Sequence, residues 1–487
     1  MMTNRFAVLM CWTFVACGPP LTPEMQLIND AAEAMGGEDR IAETETLLLE
    51  GEGRQYRLGQ NFDPDDPLPY WELDTYRREI DLANDQWRVL LTRTPMYLMT
   101  GNPVLREEQT LGIDGDTAYT ISEDGTVRRD TAETARDRQV DHYHHPVTLL
   151  RLALDEGSTA GNLRQEDGMD AVDITSATGE TYTMYVDPAT KYPTRIVSAA
   201  SNPTLGDVTL TTRFEDYWQT GGLGGFGARL TMPRTIVAAT EEFTTWELRV
   251  EANADLDLGD LGAPEEARSA VPPEFRADVQ VEEVDDGIWR LAGQSHHSLL
   301  VEFDEFLVLV EAPQHDARTL AVIEKARELN PDKPIRYVVN THHHFDHSGG
   351  IRAAVSEGLT VITHESNAVF YEDMVGRPHT LQPDALARAP RELTLELVTN
   401  DVYDVSDGHR TMHIARVRQD EHANGMLMAY LPRERILVEA DSYTPNARLV
   451  PFAANLLAAI NRLGWSVDRI VPLHGDVVEM SMLEGAI

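Results

Sequence analysis

The chain has 487 residues, of which 42% are hydrophobic and 25% are charged, a composition typical of a globular protein that buries a core. Its length exceeds what one ordinary hydrophobic core holds, so we expect two folding units. The 81 acidic residues outnumber the 41 lysines and arginines and give a formal net charge of -40. This charge repels nucleic acids and anionic membrane surfaces, so nucleic acid is not an expected partner.

The first residues have the pattern of an export signal. Arg5 precedes an apolar stretch at 6–16, which is too short to span a bilayer and has the length of a signal-peptide core. The sequence Phe-Val-Ala-Cys that ends at Cys17 resembles a bacterial lipobox, in which the cysteine is lipidated after cleavage just before it. We therefore expect a signal peptide over 1–17 and an exported protein of the periplasm or cell envelope, held to the membrane only by a lipid on Cys17. The alternative is ordinary export cleavage near Cys17.

Residues 24–258 predict a first domain dominated by β-strands. A helix over Glu24–Met35 ends at two glycines, and segments between 44 and 252 then alternate apolar and polar residues, which predicts a large antiparallel sheet. A second helix is predicted over Pro146–Asp155, after a histidine-rich run.

The first domain resembles the half-barrel domains of bacterial lipoprotein-sorting and lipoprotein-carrier proteins. The resemblance lies in the helix end Ala-Met-Gly-Gly, in the strand Leu-Leu-Leu-Glu-Gly-Glu-Gly that follows, and in the turn Val186-Asp187-Pro188. It implies an antiparallel β half-barrel with a cavity for a lipid or another apolar ligand. The alternative is a spacer that positions the second domain.

Residues 259–279 combine proline, glycine and charge without strand alternation, which is typical of a linker. From 280 to 487 the pattern alternates strands with helices and predicts a layered domain. The expected fold class is therefore an α+β chain with two domains.

One segment after the predicted strand Ile335–Asn340 is rich in metal-binding residues. It reads Thr-His-His-His-Phe-Asp-His-Ser-Gly-Gly from Thr341. His342 and His344 project to the same side of a turning backbone, while Asp346 and His347 at a helix start reach a second position nearby. Imidazole and carboxylate are ligands that zinc prefers in proteins.

This segment resembles the His-x-His-x-Asp-His signature of the metallo-β-lactamase superfamily. Three further segments follow in the order of that family: the one around His422, the strand that ends at Asp441, and the one around His474. The resemblance covers nearly all of 281–487 and implies an αββα sandwich. Glu421 and Ala440 depart from it, since many members have glycine there.

The resemblance implies a dizinc hydrolase. In that family pattern, one zinc ion is held by His342, His344 and His422, the other by Asp346, His347 and His474, and Asp441 bridges them. A hydroxide between two zinc ions would cleave an ester, lactone, thioester or amide of a small-molecule substrate, and Asp346 would orient it and shuttle its proton. Tyr443 is a candidate for contact with the substrate, with core packing as the alternative.

Two other functions are compatible with the sequence. One is an oxygenase of the persulfide dioxygenase type, with a single Fe²⁺ on the same fold, and the other is a lipid-binding lipoprotein without catalysis. The complete ligand set favours the hydrolase. True β-lactamase activity is not favoured, because the bridging position is Asp441 and not cysteine.

Histidines outside the signature are interpreted as structural. His296 and His297 are expected in a solvated turn, His364 in the core, and the run that contains His142, His144 and His145 at a polar helix start. His343 should point away from its two neighbours.

Overall fold

The structure, a computed structural model, describes residues 21–97, 106–220, 230–274, 277–447 and 451–487. The predicted signal peptide and Cys17 lie outside these residues. The described strands form three sheets. None of the described helices is long and apolar enough to cross a membrane.

The first sheet has thirteen strands, all paired antiparallel, in the order β6-β5-β4-β3-β2-β1-β13-β12-β11-β10-β9-β8-β7. The first strand pairs with the last one, so two meanders meet at the centre of the sheet. The strands are β1 (Thr46–Tyr56), β2 (Tyr70–Asp81), β3 (Gln86–Pro95), β4 (Glu107–Asp114), β5 (Thr117–Ser122), β6 (Val127–Arg129), β7 (Thr159–Glu166), β8 (Met169–Thr175), β9 (Thr181–Val186), β10 (Pro193–Asn202), β11 (Gly206–Gln219), β12 (Thr231–Thr240) and β13 (Phe243–Ala254).

Four helices accompany this sheet: α1 (Pro23–Ala34), α2 (Glu38–Glu43), α3 (Ala132–His142) and α4 (Pro146–Leu154). Helix α1 begins where the Thr22 side chain accepts a hydrogen bond from the backbone N–H of Met25, with Pro23 in the first turn. Apolar side chains of α1 and α4, such as Ile28 and Leu150, pack with inward residues of the strands into one core.

The segment predicted as a linker contains a short helix, α5 (Glu265–Ser269). Its Ala267 is buried against Tyr119 of β5, so this part of the chain packs on the first sheet. A helix of this length has too few residues to show a periodic pattern, which is why the sequence indicates only a linker.

The C-terminal domain has two sheets. The seven-stranded sheet contains β14 (Gln280–Asp285), β15 (Ile288–Ala292), β16 (Ser298–Glu302), β17 (Leu307–Val310), β18 (Ile335–Val339), β19 (Thr360–His364) and β20 (Leu395–Val398). The six-stranded sheet contains β21 (Val402–Ser406), β22 (Thr411–Arg416), β23 (Leu427–Leu431), β24 (Ile436–Glu439), β25 (Arg469–Pro472) and β26 (Val478–Glu479).

Helices accompany these two sheets. They are α6 (Asp316–Leu329), α7 (Phe345–Ser348), α8 (Ile351–Ser356), α9 (Ala368–Gly376), α10 (Ala385–Arg388), α11 (Phe452–Leu463) and α12 (Met480–Ala486). Alternate residues of β16 serve two cores: Leu299 and Val301 belong to the core shared with the second sheet, and Leu300 to the core under α6 and α8. This is the predicted layered domain.

Two segments of the N-terminal domain contact the C-terminal domain. At the start of β11, the Asp207 carboxylate accepts hydrogen bonds from the backbone N–H groups of Thr380 and Leu381, each at 2.9 Å. The connection between β1 and β2, residues 57–69, reaches the histidine-rich segment after β18. This second contact places residues of the N-terminal domain beside the histidine-rich segment.

Candidate metal centre

The predicted metal ligands converge at the ends of strands. His342 and His344 follow β18, Asp441 follows β24, and His474 follows β25, while His422 lies in the loop before β23. Since β18 and β25 each pair in parallel with a neighbouring strand, the carboxyl ends of those strands meet at one edge of their sheet. Residues far apart in the sequence are thereby brought to one place.

The first cluster consists of His342, His344, His422 and Asp441, whose ligand atoms lie within 4.8 Å of one another. Three ring nitrogens, Nε2 of His342, Nδ1 of His344 and Nε2 of His422, are buried and form no well-oriented hydrogen bond among the described residues, although those of His342 and His422 lie near the Asp441 carboxylate. Burial of an unpartnered polar atom costs about 1–3 kcal/mol. A cation bound by these nitrogens removes that cost, so the residues fit a metal ion.

The second cluster consists of His296, Asp346, His347 and His474. The Asp441 carboxylate lies between the two clusters. Its Oδ1 is 2.8 Å from His474 Nε2, and its Oδ2 is 2.8 Å from His422 Nε2. The structure thus brings together all seven residues that the sequence predicts as ligands, and adds His296.

The histidine rings are fixed by acceptors on their outer side. His347 Nδ1 donates to Glu311 Oε2 at 3.1 Å, His474 Nδ1 donates to the backbone oxygen of Ser295 at 2.8 Å, and His344 Nε2 donates to that of Asn61 at 3.0 Å. A ring that donates from one nitrogen presents the lone pair of the other, which is the tautomer that a metal ligand needs. In each of these rings the second nitrogen belongs to one of the two clusters.

The ionisable groups of the metal centre have pKa values that are shifted in different directions. Burial lowers the pKa of His342 to about 3, so this ring is neutral at neutral pH. Burial acts to raise the pKa of Asp441, but the facing rings of His347, His474 and His422 hold it well below its usual range. Burial acts to lower the pKa of His347, but Asp441 and Glu311 raise it well above its usual value. A cation that binds here replaces the proton on His347.

His296 corrects the sequence interpretation. The expected solvated turn is wrong, because this side chain is 9% exposed and its Nε2 lies 3.1 Å from Asp346 Oδ2. The neighbouring His297 is also buried, and its backbone N–H donates to the oxygen of Leu473. No spacing in the sequence connects His296 with a motif fifty residues further on.

Tyr443 belongs to the hydrophobic core of the C-terminal domain. Its side chain is 4% exposed and packs in the core shared by the two sheets, which favours the packing alternative over a contact with substrate. His343 points away from its neighbours, as expected, and its Nε2 donates to the Asn61 backbone oxygen at 2.9 Å.

Four further histidines outside the two clusters are buried. His364 is buried and caps the short turn that follows β19, where its Nδ1 accepts from the backbone N–H of Ser366. His142, His144 and His145 are also buried, and His145 caps the start of α4, as expected of a helix start.

A cavity of about 250 Å³ opens above the two clusters. Its C-terminal wall includes His344, Asp346, His422, Asp441 and His474, and its other wall comes from the N-terminal domain with Arg57, Gln60, Phe62 and Tyr97. Sequence analysis missed this second wall, since nothing in the β1–β2 connection distinguishes it from an ordinary loop.

Residues 291–415 match the sequence model of the metallo-beta-lactamase superfamily. The C-terminal domain is a metallo-β-lactamase domain. The match includes the signature from His342 to His347, while His422, Asp441 and His474 lie beyond it and rest on the geometry above. No curated protein matches the chain. The resemblance of the N-terminal domain to lipoprotein carriers stays a prediction.

Solved structures of metallo-β-lactamases are similar to part of the chain. A metallo-beta-lactamase from Pontibacter korlensis is 19% identical with a TM-score of 0.33, over 42% of this chain and 96% of its own. The metallo-beta-lactamase FIM-1 from Pseudomonas aeruginosa, in a mono-zinc form, is 21% identical with a TM-score of 0.33, over 42% and 92%. A metallo-beta-lactamase from Hirschia baltica is 19% identical with a TM-score of 0.32, over 43% and 95%. Likenesses at this level do not carry an activity or a substrate across to this chain.

Proposed function

We propose that the protein is an exported hydrolase that binds two zinc ions and cleaves an ester, lactone, thioester or amide of a small-molecule substrate. The observation that carries the proposal is the pair of adjoining His/Asp clusters on either side of Asp441, with three buried ring nitrogens that form no well-oriented hydrogen bond in the described part of the chain. His342, His344 and His422 would hold one ion, and Asp346, His347 and His474 the other, with Asp441 between them. Bound zinc acidifies water and polarises a scissile carbonyl.

Asp346 is the residue best placed to orient the attacking water. Its Oδ1 accepts from Gln60 Nε2 at 2.8 Å, its Oδ2 faces His296 at 3.1 Å, and it lines the cavity. Burial acts to raise the pKa of Asp346, but His296 and His347 hold it well below its usual range, so the group is an ionised acceptor. An ionised carboxylate beside the cavity accepts a hydrogen bond from the attacking water and so orients it.

Hydrolysis tests this proposal directly. The zinc-loaded full chain should cleave at least one of 4-nitrophenyl acetate, a simple lactone and a chromogenic β-lactam. Asp346→Asn should lower kcat by about 100-fold or more, because the acceptor is lost. Asp373→Asn is the matched control, since the Asp373 side chain is 60% exposed and pairs with Arg377, and its replacement should leave kcat unchanged. Absence of hydrolysis with all three substrates, or full activity in Asp346→Asn, would contradict the proposal.

Two zinc ions are favoured over the single Fe²⁺ of the alternative oxygenase. A mono-iron site needs two histidines and one carboxylate, whereas eight potential ligands stand in two sets here. In a mono-iron protein one of the two sets would hold no ion.

Lipidation of Cys17 belongs to the same proposal. A cell-envelope location agrees with the export pattern before Cys17. Wild-type chain expressed in a bacterium should incorporate labelled palmitate and fractionate with membranes, and Cys17→Ser should do neither. Equal labelling of the two would overturn the lipid anchor.

The N-terminal domain supports a second candidate, binding of an apolar ligand. A cavity of about 290 Å³ is lined by apolar residues of the sheet such as Leu49, Val89 and Leu248. Two buried groups on its wall, Trp87 Nε1 and His145 Nε2, have no partner in the described residues, so a ligand with a hydrogen-bonding head group fits better than a pure hydrocarbon.

Palmitate tests the candidate. Saturable binding by the full chain, followed by tryptophan fluorescence and weakened in Leu248→Arg, would support it. Val271→Arg, at an exposed position, is the control. Absence of binding would favour the spacer alternative.

A further inference from the structure

The loop that connects β1 and β2, residues 57–69, lies directly on the metal-binding signature. We call it the docking loop. Its Gly59 oxygen accepts from the backbone N–H of Phe345 at 3.2 Å, and Gln60 Nε2 donates to Asp346 Oδ1 at 2.8 Å. The Asn61 oxygen accepts from the Nε2 atoms of both His343 and His344. The docking loop thus contacts four consecutive residues of the signature.

The docking loop also contacts the segment that carries His422. The Phe62 oxygen accepts from the backbone N–H of Asn424 at 2.8 Å, and Asn424 Nδ2 donates to Asp63 Oδ1 at 2.7 Å. Two separate ligand-bearing segments of the C-terminal domain therefore meet one loop of the N-terminal domain.

Internal bonds hold the docking loop in one shape. At its base the backbone N–H of Arg57 donates to the Pro69 oxygen at 2.8 Å, and within it the Asn61 side chain donates to the Pro64 oxygen at 2.6 Å. Prolines 64, 67 and 69 restrict the backbone further. A loop that is ordered in this way can form a wall of a binding site without a large entropy cost on ligand binding.

Arg57 is the positively charged residue that the docking loop contributes to the wall of the cavity. It lines the cavity above the metal centre, its Nη1 donates to the Tyr97 hydroxyl at 2.6 Å, and its guanidinium lies 5.6 Å from the centre of the Tyr97 ring. Within the described residues Arg57 forms no ion pair, although the chain has a net charge of -40. The guanidinium therefore keeps donors for a ligand in a cavity that otherwise carries Asp346, Asp441 and Glu421.

We propose that the docking loop completes the substrate site and that Arg57 binds a carboxylate of the substrate. The apolar body of the substrate would lie against Phe62, Pro67 and Pro69, which line the same cavity. Guanidinium binds a carboxylate through two parallel hydrogen bonds, and an aromatic neighbour keeps its plane in place. The inference rests on the proposed hydrolase and narrows its substrates to those with an apolar body and an anionic group.

A pair of esters tests the inference. The zinc-loaded full chain is assayed with 4-nitrophenyl acetate, which is neutral, and with 4-nitrophenyl hemisuccinate, which carries a carboxylate. Arg57→Gln should lower the ratio of kcat/KM for the anionic ester over the neutral ester by at least about 10-fold, chiefly through KM, because a charge-assisted bond is lost. Arg57→Lys should restore part of the ratio.

Arg54→Gln is the matched control. Arg54 lies in β1 and pairs with Glu72 at 3.3 Å, with 45% of its side chain exposed, so its replacement should leave the ratio unchanged. An unchanged ratio in Arg57→Gln, or an equal fall in the control, would overturn the assignment of Arg57.

Equilibrium binding separates this inference from the proposed hydrolysis. Succinate is titrated calorimetrically into the zinc-loaded wild type and into Arg57→Gln, after their circular dichroism spectra have been matched. We expect at least about 10-fold weaker binding in the variant. Arg57-dependent binding without cleavage of either ester would refute the hydrolase and keep the anion site. Cleavage with equal succinate affinity in both proteins would refute the anion site and keep the hydrolase.

Discussion

Glu311 supports the metal centre from behind. Its side chain is fully buried and accepts from His347 Nδ1, from the Thr341 hydroxyl at 2.6 Å and from Asn340 Nδ2 at 2.6 Å. Its backbone has a φ of 80°, in the left-handed region that is unfavourable for a side chain of this size. Such strain is retained where surrounding contacts over-determine it, which fits a residue that fixes a ligand.

We expect Glu311→Gln to weaken zinc binding by about 10- to 100-fold, because a neutral amide is a poorer acceptor for the His347 ring. Competition with a chromogenic chelator measures the affinity. Glu302→Gln is the control, since Glu302 pairs with Lys333 outside the metal centre. Equal affinities for wild type and Glu311→Gln would show that this carboxylate does not support the site.

The sequence predicts the metal ligands well, but it predicts poorly the residues that hold those ligands in position. His342, His344, Asp346 and His347 are close in the chain, so their spacing alone predicts two neighbouring metal positions. Glu311 and His296 reach the same place from other strand ends, and no local pattern marks them. The spacing of Tyr443 from Asp441 does not reveal that the tyrosine side chain turns into the core.

The docking loop depends on a glycine where it meets the signature. Gly59 has a φ of +75°, and an added Cβ would lie 2.3 Å from Phe345 Cγ. Gly59→Ala should therefore displace the loop from the signature, with faster hydrogen exchange over 343–347 as the measured result. Gly115→Ala is the matched control, because Gly115 has a φ of +59° and nothing within 4 Å of an added Cβ. Equal exchange in the two variants would mean that the loop tolerates the clash.

The histidine run at the start of α4 makes the N-terminal domain sensitive to acid. Burial lowers the pKa of His142 and of His145 to about 3 and that of His144 to about 4. Below about pH 6.5 the unfolded chain takes up protons that the folded domain does not. The free energy of unfolding should therefore be constant above about pH 7.5 and fall as the pH is lowered, by at most about 2 kcal/mol per histidine at pH 5.

Urea unfolding at pH 7.5 and pH 5, with hydrogen exchange over 142–150 as the local probe, measures this loss. His144→Gln should reduce the pH dependence, since its partners Thr212 and Ser198 can bond to an uncharged amide. His409→Gln, at an exposed site in the other domain, should leave the loss in 142–150 unchanged. A pH-independent stability of the N-terminal domain would contradict the effect.

Alternation of apolar and polar residues predicts a strand when one face of that strand is buried. It misses a strand that buries neither face. Strands such as β1 and β13 have regular apolar positions and appear in the sequence pattern. Strand β7 reads Thr-Ala-Gly-Asn-Leu-Arg-Gln-Glu and lies at the edge of the sheet, largely exposed, so it has no pattern to find. The sequence pattern also misses the strand β6 and the helices α2 and α5, because each is too short to show a periodic pattern.

At the scale of the whole molecule, the two domains contact each other and together form the walls of one cavity. Sequence analysis divides the chain at a linker, and nothing in it relates the β1–β2 connection to a histidine segment about 280 residues away. The contacts through Asn61 and Asp207 show why the division is incomplete. They are made by a loop and by the start of a strand, and the position of each against the other domain follows from the assembled fold. The substrate cavity has walls from both domains for the same reason.

The number and kind of metal ions bound per chain test the dizinc centre most directly. Inductively coupled plasma mass spectrometry on the purified full chain should find close to two zinc ions per chain, and Asp441→Ala should lower this number because its carboxylate faces both clusters. Asp401→Ala, at an exposed pair with Arg418, should leave it unchanged. One iron ion per chain, or a folded wild-type chain that binds no metal when zinc is supplied, would contradict the dizinc hydrolase.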